Sequence, residues 1–239
     1  MKKGWQSGGT LLLKRIRRKG NLVVTYEYGN AEAQTVLIQP VDDHDMARLE
    51  AEVGEIRKLA GMEFRLLAVK VEDWNFDLSP WQAPAVFGND DFGDGAKETL
   101  TKILEHCQDK NCSYIIGGYS LAALFSLWSA YQTDLFCGVA AASPSMWFPG
   151  FVDYMKGHTP KCNHVYLSLG DKEEKTRNPV MARVSDCIRN GFEHLAGTDV
   201  NCVLEWNKGN HFKEPEIRTA KAFGWVIQSL KKQFYALSD

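Results

Sequence analysis

A serine between small residues lies in the motif GYSLA, residues 118–122. Gly118 and Ala122 stand two residues before and two residues after Ser120, where a nucleophilic serine on a sharp strand-to-helix turn leaves no room for larger side chains. The apolar segment SYIIGG leads into the motif, and the apolar segment LAALFSLW continues from it. This placement predicts that Ser120 lies between a buried strand and a buried helix, where it can act as a nucleophile.

A histidine further along the chain is the candidate base for this serine. A serine hydroxyl attacks well only when a base takes its proton and an acid orients that base. In serine sites of this kind the chain order is serine, acid, histidine. His194 lies inside a helical pattern, whereas His211 lies in KGNHF, between a predicted strand and the last predicted helix. We therefore predict that His211 is the base.

The segment SLGDKEE supplies candidates for the acid. The usual acid lies a short loop beyond its strand, three residues after the closing Gly170, which selects Glu173. Asp171 directly follows the same strand, and the spacing leaves both carboxylates able to reach His211. We predict Glu173 and keep Asp171 as the alternative.

Ester hydrolysis also needs backbone N–H donors for the oxyanion that forms on the carbonyl. One donor is expected from Leu121, directly after the serine, and another from the loop QPVDDHD after an earlier strand. Pro40 has no N–H, so Val41 is the predicted second donor. The acidic residues at 42–45 favour capping of a helix over metal binding. We expect neither a metal nor a cofactor.

Aromatic side chains are concentrated in two further segments. Residues 72–95 carry five aromatic rings without clear periodicity, and loops of this length are often lids or binding loops. The segment SPSMWF adds Trp147 after another predicted strand. We predict that Trp81, Trp147 and Tyr119 contact the substrate; the alternative is that these rings only cover the core.

The elements that would position these residues alternate between strands and helices. Seven apolar segments are predicted strands: 23–28, 35–39, 64–71, 113–118, 135–142, 165–170 and 200–206. Four helical patterns run over 46–60, 100–107, 178–188 and 215–234. This alternation predicts an α/β fold with a mainly parallel sheet and helices on both faces. Such sheets bind ligands beyond the carboxyl ends of their strands, where the candidate residues lie.

Length and charge exclude several classes of protein. The chain has 239 residues, of which 44% are hydrophobic, with 28 Lys and Arg against 30 Asp and Glu and a net charge of −2. This balance disfavours nucleic-acid binding by phosphate neutralisation. A stretch of about eighteen apolar residues, as a membrane span needs, does not occur. We expect one domain over residues 1–239, with 72–95 as its lid or binding loop, and the sequence leaves the oligomeric state open.

The first twenty residues and the cysteines bear on the compartment. The only apolar run near the start is Leu11–Leu13, which is too short for the core of a secretion signal. Six cysteines are scattered without a paired motif, which favours free thiols. We expect a cytoplasmic protein.

The motifs TVLIQP, GYSLA, SPSMWF, SLGDKEE and GNHF, in this order, resemble the esterase branch of the α/β-hydrolase fold. This branch includes S-formylglutathione hydrolase, feruloyl and acetylxylan esterases, enterochelin-type esterases and mycolyltransferases, and the resemblance covers about residues 34–235. It implies that Ser120 attacks an ester carbonyl, that His211 acts as base and then acid, and that Glu173 or Asp171 holds the imidazole. It also implies that the loop with Trp147 borders the substrate.

The leading hypothesis is a serine hydrolase that cleaves a carboxylic ester of a small molecule through an acyl-enzyme intermediate. An acyltransferase with the same three residues is one alternative. A non-catalytic binding module on the same sheet, or a flavodoxin-like nucleotide binder, is another. The segment Gln39–Asp42 offers no glycine-rich phosphate loop, which disfavours nucleotide binding.

Overall fold

The structure, a computed structural model, describes residues 24–236, with side chains to Gln233. The predictions that fall on residues 1–23, including the absence of a secretion signal, lie outside this range. Within it, all seven predicted strands are present, with ends shifted by at most two residues. They are β1 Thr25–Gly29, β2 Thr35–Val41, β3 Arg65–Lys70, β4 Ser113–Tyr119, β5 Phe136–Ala142, β6 His164–Gly170 and β7 Asn201–Asn207.

The strands form one sheet in the order β1-β3-β2-β4-β5-β6-β7. Only β1 runs antiparallel to its neighbour, and the other five pairings are parallel. The chain leaves β3 on one side of β2 and returns as β4 on the other side. The connections after β2 and β4 therefore diverge, which opens a crevice at the carboxyl ends of these two strands.

Helices cover both faces of the sheet. They are α1 Asp43–Met46, α2 Leu49–Ala60, α3 Trp74–Asp77, α4 Ala96–Leu104, α5 Leu121–Gln132, α6 Phe151–Lys156, α7 Val184–Ala196 and α8 Pro215–Ala236. The buried side chains of α2 and α8 pack together on one face. Those of α4, α5, α6 and α7 form the larger cluster on the other face. The predicted sheet with helices on both faces is confirmed.

The predicted helix over 46–60 is in fact two helices. The side chain of Asp42 accepts a hydrogen bond from Asp45 N at 2.8 Å and caps the single turn α1. Arg48 N then bonds to Asp45 O at 2.9 Å, and the chain turns before α2 begins at Leu49. The acidic residues at 42–45 thus start a turn of helix, and residues 24–236 contain no group of His, Cys, Asp or Glu that could hold a metal.

Two other helix boundaries differ from the sequence pattern. Cys107 lies in a turn beyond the end of α4, where its N–H bonds to Leu104 O at 3.1 Å. Asn178 acts as a cap, since its Oδ1 accepts hydrogen bonds from Val180 N and Met181 N. It caps a 3₁₀ turn at Met181–Arg183, and α7 itself starts only at Val184.

The aromatic segment 72–95 contains more regular structure than its sequence indicates. Asp73 caps α3 by accepting a hydrogen bond from Phe76 N at 2.9 Å, and Ala83 pairs with Phe92 in an isolated bridge. Its role as a lid or binding loop stays a prediction, as does the single domain over 1–239. All six cysteines are free thiols. In the described range, no helix combines the length and apolar character that crossing a bilayer requires.

Candidate active site

Ser120 lies on the turn between β4 and α5, with φ at 56° and ψ at −118°. A positive φ is strained for a residue other than glycine and is a known feature of exposed nucleophiles at this position. A Cβ added to Gly118 would lie 2.8 Å from the Cβ of Ala122. The two small residues of the motif are therefore a packing requirement of the turn.

Ser120, His211 and Glu173 form one continuous chain of hydrogen bonds. Ser120 Oγ lies 3.0 Å from His211 Nε2, and His211 Nδ1 lies 2.7 Å from Glu173 Oε2. Both contacts are satisfied when Nδ1 carries the imidazole proton and donates it to the carboxylate. In this tautomer Nε2 is free to accept the proton of the serine hydroxyl.

The carboxylate of Glu173 is held in place through Oε1, the oxygen that does not contact His211, and its side chain is only 3% exposed. Oε1 accepts hydrogen bonds from Gly170 N at 2.7 Å, Ser143 Oγ at 2.8 Å and Arg218 Nη1 at 2.8 Å. Burial by itself raises the pKa of Glu173, but the hydrogen bond and charge of His211, with the Gly170 amide and the Ser143 hydroxyl, lower it below 4.5 overall. Glu173 is therefore ionised at neutral pH.

Asp171 has a different contact from Glu173. Its Oδ1 accepts a hydrogen bond from Gly209 N at 2.8 Å, and its own N–H bonds to Asn207 O at 2.8 Å. Asp171 thus braces residues 208–214, which we call the histidine loop. Of the two acids that the spacing left open, Glu173 is the one that contacts His211.

Tyr119 faces the protein interior. Its hydroxyl donates to the backbone carbonyl of His211 at 2.6 Å and accepts from Arg218 Nη1 at 3.1 Å. Burial, followed by the negative charge of Glu173, raises the pKa of Tyr119 to about 12, so its phenol stays neutral. The structure therefore places the Tyr119 hydroxyl against the histidine loop, and the contact of Tyr119 with substrate stays a prediction.

The two predicted oxyanion donors are placed differently. Leu121 begins α5, where the first N–H groups of a helix lack intrahelical partners. Val41 is still part of β2: it pairs with Lys70, and its carbonyl accepts from Val71 N at 3.0 Å. In a parallel ladder the N–H and C=O of one residue point to the same neighbouring strand. The Val41 amide therefore faces β3, away from Ser120.

Asp42 replaces Val41 as the residue whose amide can face the serine. The expectation for Val41 assumed that β2 ends at Gln39, but the strand runs two residues further. Asp42 has extended backbone, with φ at −101° and ψ at −172°. Since successive amides of extended chain alternate in direction, the N–H of Asp42 points to the β4 side of β2.

The two predicted substrate-contacting tryptophans belong to a cluster of aromatic rings. Trp147 is buried, with ring centroids of Phe87 and Phe92 each 6.0 Å away. The indole of Trp81 donates to Pro149 O at 2.9 Å and packs against Phe148. Both tryptophans lie in or against the loop that follows β5, and their contact with substrate stays a prediction.

Besides Asp42, four residues at the site were not predicted from the sequence. Ser145 N bonds to Ser120 O at 3.1 Å, and the two side-chain oxygens lie 3.3 Å apart. Phe212 is 83% exposed, with its ring centroid 5.6 Å from that of His211. The others are Ser143 and Arg218, both bonded to Glu173. For Arg218 the helical spacing of the sequence carried a signal. Arg218 stands four residues before the buried Ala222 and eight before the buried Val226, so it shares their face of α8.

Comparisons with known proteins identify the fold. No protein-family model matches the chain, and no curated protein matches it. Among solved structures, an IroE-like serine hydrolase from Shewanella oneidensis is similar with a TM-score of 0.75 and 12% identity, over 96% of this chain and 87% of that one. The siderophore hydrolase EstA from Aspergillus nidulans has a TM-score of 0.67 and 15% identity, over 95% and 99% of the two chains.

A ferulic acid esterase is also similar, with a TM-score of 0.59 and 13% identity over 86% of this chain and 92% of that one. Feruloyl esterases are among the groups that the sequence motifs resemble. At these identities the similarity establishes architecture, and the chain has the α/β-hydrolase fold.

Proposed function

We propose that this protein is a serine esterase that hydrolyses a small-molecule carboxylic ester through an acyl-enzyme intermediate on Ser120. The observation that carries the proposal is the hydrogen-bond chain from Ser120 through His211 to Glu173, with the serine on a positive-φ turn at the carboxyl end of β4. The names of the structural neighbours, two hydrolases and one esterase, agree with it.

Acylation uses the three side chains in sequence. His211 Nε2 takes the proton of Ser120 as Oγ attacks the ester carbonyl. The imidazolium that forms lies 2.7 Å from the ionised Glu173, which stabilises its charge and keeps Nδ1 as the donor. His211 then gives its proton to the departing alcohol, and the acyl group stays on Ser120.

The oxyanion of the tetrahedral intermediate needs N–H donors that are in place before the reaction. We propose the amides of Leu121 and Asp42 for this role, since one begins α5 directly after the serine and the other faces β4. Water, activated by His211 in the same way, attacks the acyl-enzyme and releases the acid. No metal or cofactor is part of this mechanism.

Two exposed aromatic rings, one of them beside His211, favour a substrate with an apolar group. Phe212 presents an almost fully exposed ring beside the imidazole, and Phe87 is also exposed where it meets Trp147. Water-exposed aromatic rings gain from contact with apolar or ring-bearing ligands. We therefore propose a substrate whose acyl or alcohol part carries such a group. A cytosolic location stays a prediction.

A panel of esters tests the proposal: p-nitrophenyl esters of increasing acyl length, methyl ferulate and a thioester. We expect turnover of at least one ester by the intact protein and its loss in Ser120→Ala, with unchanged thermal unfolding of the variant. Equal turnover by Ser120→Ala, or no turnover of any ester by the wild type, would contradict the proposal.

A further inference from the structure

Arg218 places one buried cation in contact with Glu173 and with the segments that carry Ser120 and His211. Its side chain is 3% exposed, as is that of Glu173. Nη1 donates to Glu173 Oε1 at 2.8 Å, to the Tyr119 hydroxyl at 3.1 Å and to Ser143 Oγ at 3.2 Å. Nη2 donates to the backbone carbonyls of Asn210 at 3.0 Å and Lys208 at 3.3 Å.

These contacts join three separate segments of the chain. Tyr119 directly precedes the serine, Glu173 is the acid, and the carbonyls of Lys208 and Asn210 belong to the histidine loop. The hydroxyl of Tyr119 in turn holds the carbonyl of His211. A planar guanidinium with donors in a fixed geometry can hold all three segments at once, which an ammonium group cannot do equally well.

The charge of Arg218 also bears on the protonation of His211. A buried carboxylate is costly unless a positive charge compensates it. With Arg218 present, the Glu173–Arg218 pair is neutral while His211 is uncharged. Without Arg218, the cation among the described residues that still contacts Glu173 is the imidazolium form of His211. That form cannot accept the proton of Ser120.

The other titratable groups that face Arg218 do not replace its charge. Tyr119 from β4 stays neutral because burial and the charge of Glu173 raise its pKa to about 12. Tyr166 from β6 donates to Glu205 at 2.8 Å, and burial raises its pKa as well. The carboxylate of Glu205 is already paired with Lys221 at 2.7 Å.

We propose that Arg218 is a positioning residue that keeps His211 in its neutral, proton-accepting form and fixes the histidine loop against Glu173. The role in catalysis rests on the proposed esterase function. The effect on the protonation of His211 does not, because it can be measured without turnover.

The test compares Arg218→Met and Arg218→Lys with the control Arg189→Met, which removes an exposed arginine stacked on Trp206. For Arg218→Met we expect kcat/KM at pH 7 to fall about 100-fold through kcat, with KM little changed. We expect the acid limb of its pH profile to move up by about one unit, so that part of the loss is recovered near pH 9. Arg218→Lys keeps the charge, so we expect a lower kcat without this movement, and Arg189→Met should match the wild type.

An NMR titration of the His211 imidazole, measured on the same variants, gives the second readout. We expect its midpoint to move to higher pH in Arg218→Met relative to Arg218→Lys, whether or not any ester is turned over. An unmoved midpoint, or a loss of activity equal at every pH, would overturn the proposal. If Arg218→Met does not fold, Arg218→Lys provides the test. An acid limb of Arg218→Lys that moves to higher pH, as loss of the charge predicts, would contradict the proposal. An acid limb that stays in place, together with a reduced kcat, would support it. Absence of turnover by the wild type would overturn the esterase function alone.

Discussion

Glu173 Oε2 meets His211 Nδ1 at 2.7 Å, while the other oxygen of the same carboxylate accepts three hydrogen bonds from Gly170, Ser143 and Arg218. The acid is thus fixed by the protein on one side and presents its free side to the imidazole. Such an arrangement orients the imidazole before any substrate binds.

Replacement of Glu173 by glutamine should impair catalysis far more than the matched change at Asp171. In Glu173→Gln the amide can donate to Nδ1, which favours the wrong tautomer of His211, and we expect kcat to fall about 10³- to 10⁴-fold. In Asp171→Asn the side-chain oxygen can still accept from Gly209 N, so we expect a loss below about tenfold. Steady-state kinetics on any accepted ester measures both. A larger loss of kcat in Asp171→Asn than in Glu173→Gln would show that Asp171, and not Glu173, orients His211.

The amide of Asp42 can be removed by proline. Asp42→Pro deletes the N–H, and we expect kcat to fall about 10²- to 10³-fold, as for loss of one oxyanion donor. Asp42→Ala is the control, since it loses the same helix cap, worth about 1 kcal/mol, but keeps the amide. The preceding Val41 is extended, which a following proline tolerates. Equal kcat values for the two variants would exclude this amide as a donor.

Glu52 makes stability depend on pH. It lies on α2 and its side chain is buried, with 5% exposed. Burial raises the pKa of its carboxyl well above 4.5, and the negative charges of Asp45 and Glu216 raise it further, while a hydrogen bond from Gln39 lowers it. A carboxyl with a raised folded-state pKa contributes stability that is complete below the unfolded value of about 4.5 and is lost as pH rises through the folded-state pKa.

Glu52→Gln should therefore stabilise the protein more at pH 8 than at pH 5, by a difference of about 1 kcal/mol or more in the free energy of unfolding. Urea denaturation at the two pH values measures this. Glu50→Gln, on an exposed position of the same helix, should show no such difference. A gain for Glu52→Gln that is identical at both pH values would contradict the expectation.

The strands could be placed from the sequence because helices cover both faces of the sheet. The strands β4, β5 and β6 are buried on both faces, so their sequences are almost continuously apolar and contrast with the amphipathic helices between them. Once the strands are placed, Ser120, His211 and the two acids must share one edge of the sheet. Their shared edge follows from topology, and the loops that follow the strands bring the side chains together.

The contacts within the site were less predictable, because they depend on single turns. Glu173 reaches His211 because its N–H bonds back to Gly170 O at 3.1 Å, a turn that the spacing of SLGDKEE does not specify. The prediction for Val41 differs from the structure because β2 continues two residues beyond Gln39, where the apolar pattern predicts its end. Arg218 was not predicted as a site residue because it lies 45 residues from Glu173 in the sequence. Only the folded chain brings the two side chains together.

The central claim is that Ser120 is a nucleophile activated by His211, and covalent labelling tests it most directly. After exposure of the intact protein to a fluorophosphonate, mass spectrometry should show one adduct per chain, mapped to Ser120. Ser120→Ala should not be labelled, and Ser145→Ala, which removes the neighbouring hydroxyl, should still carry the adduct on Ser120. An unlabelled wild-type protein, or Ser120→Ala labelled as fast as the wild type, would contradict the account.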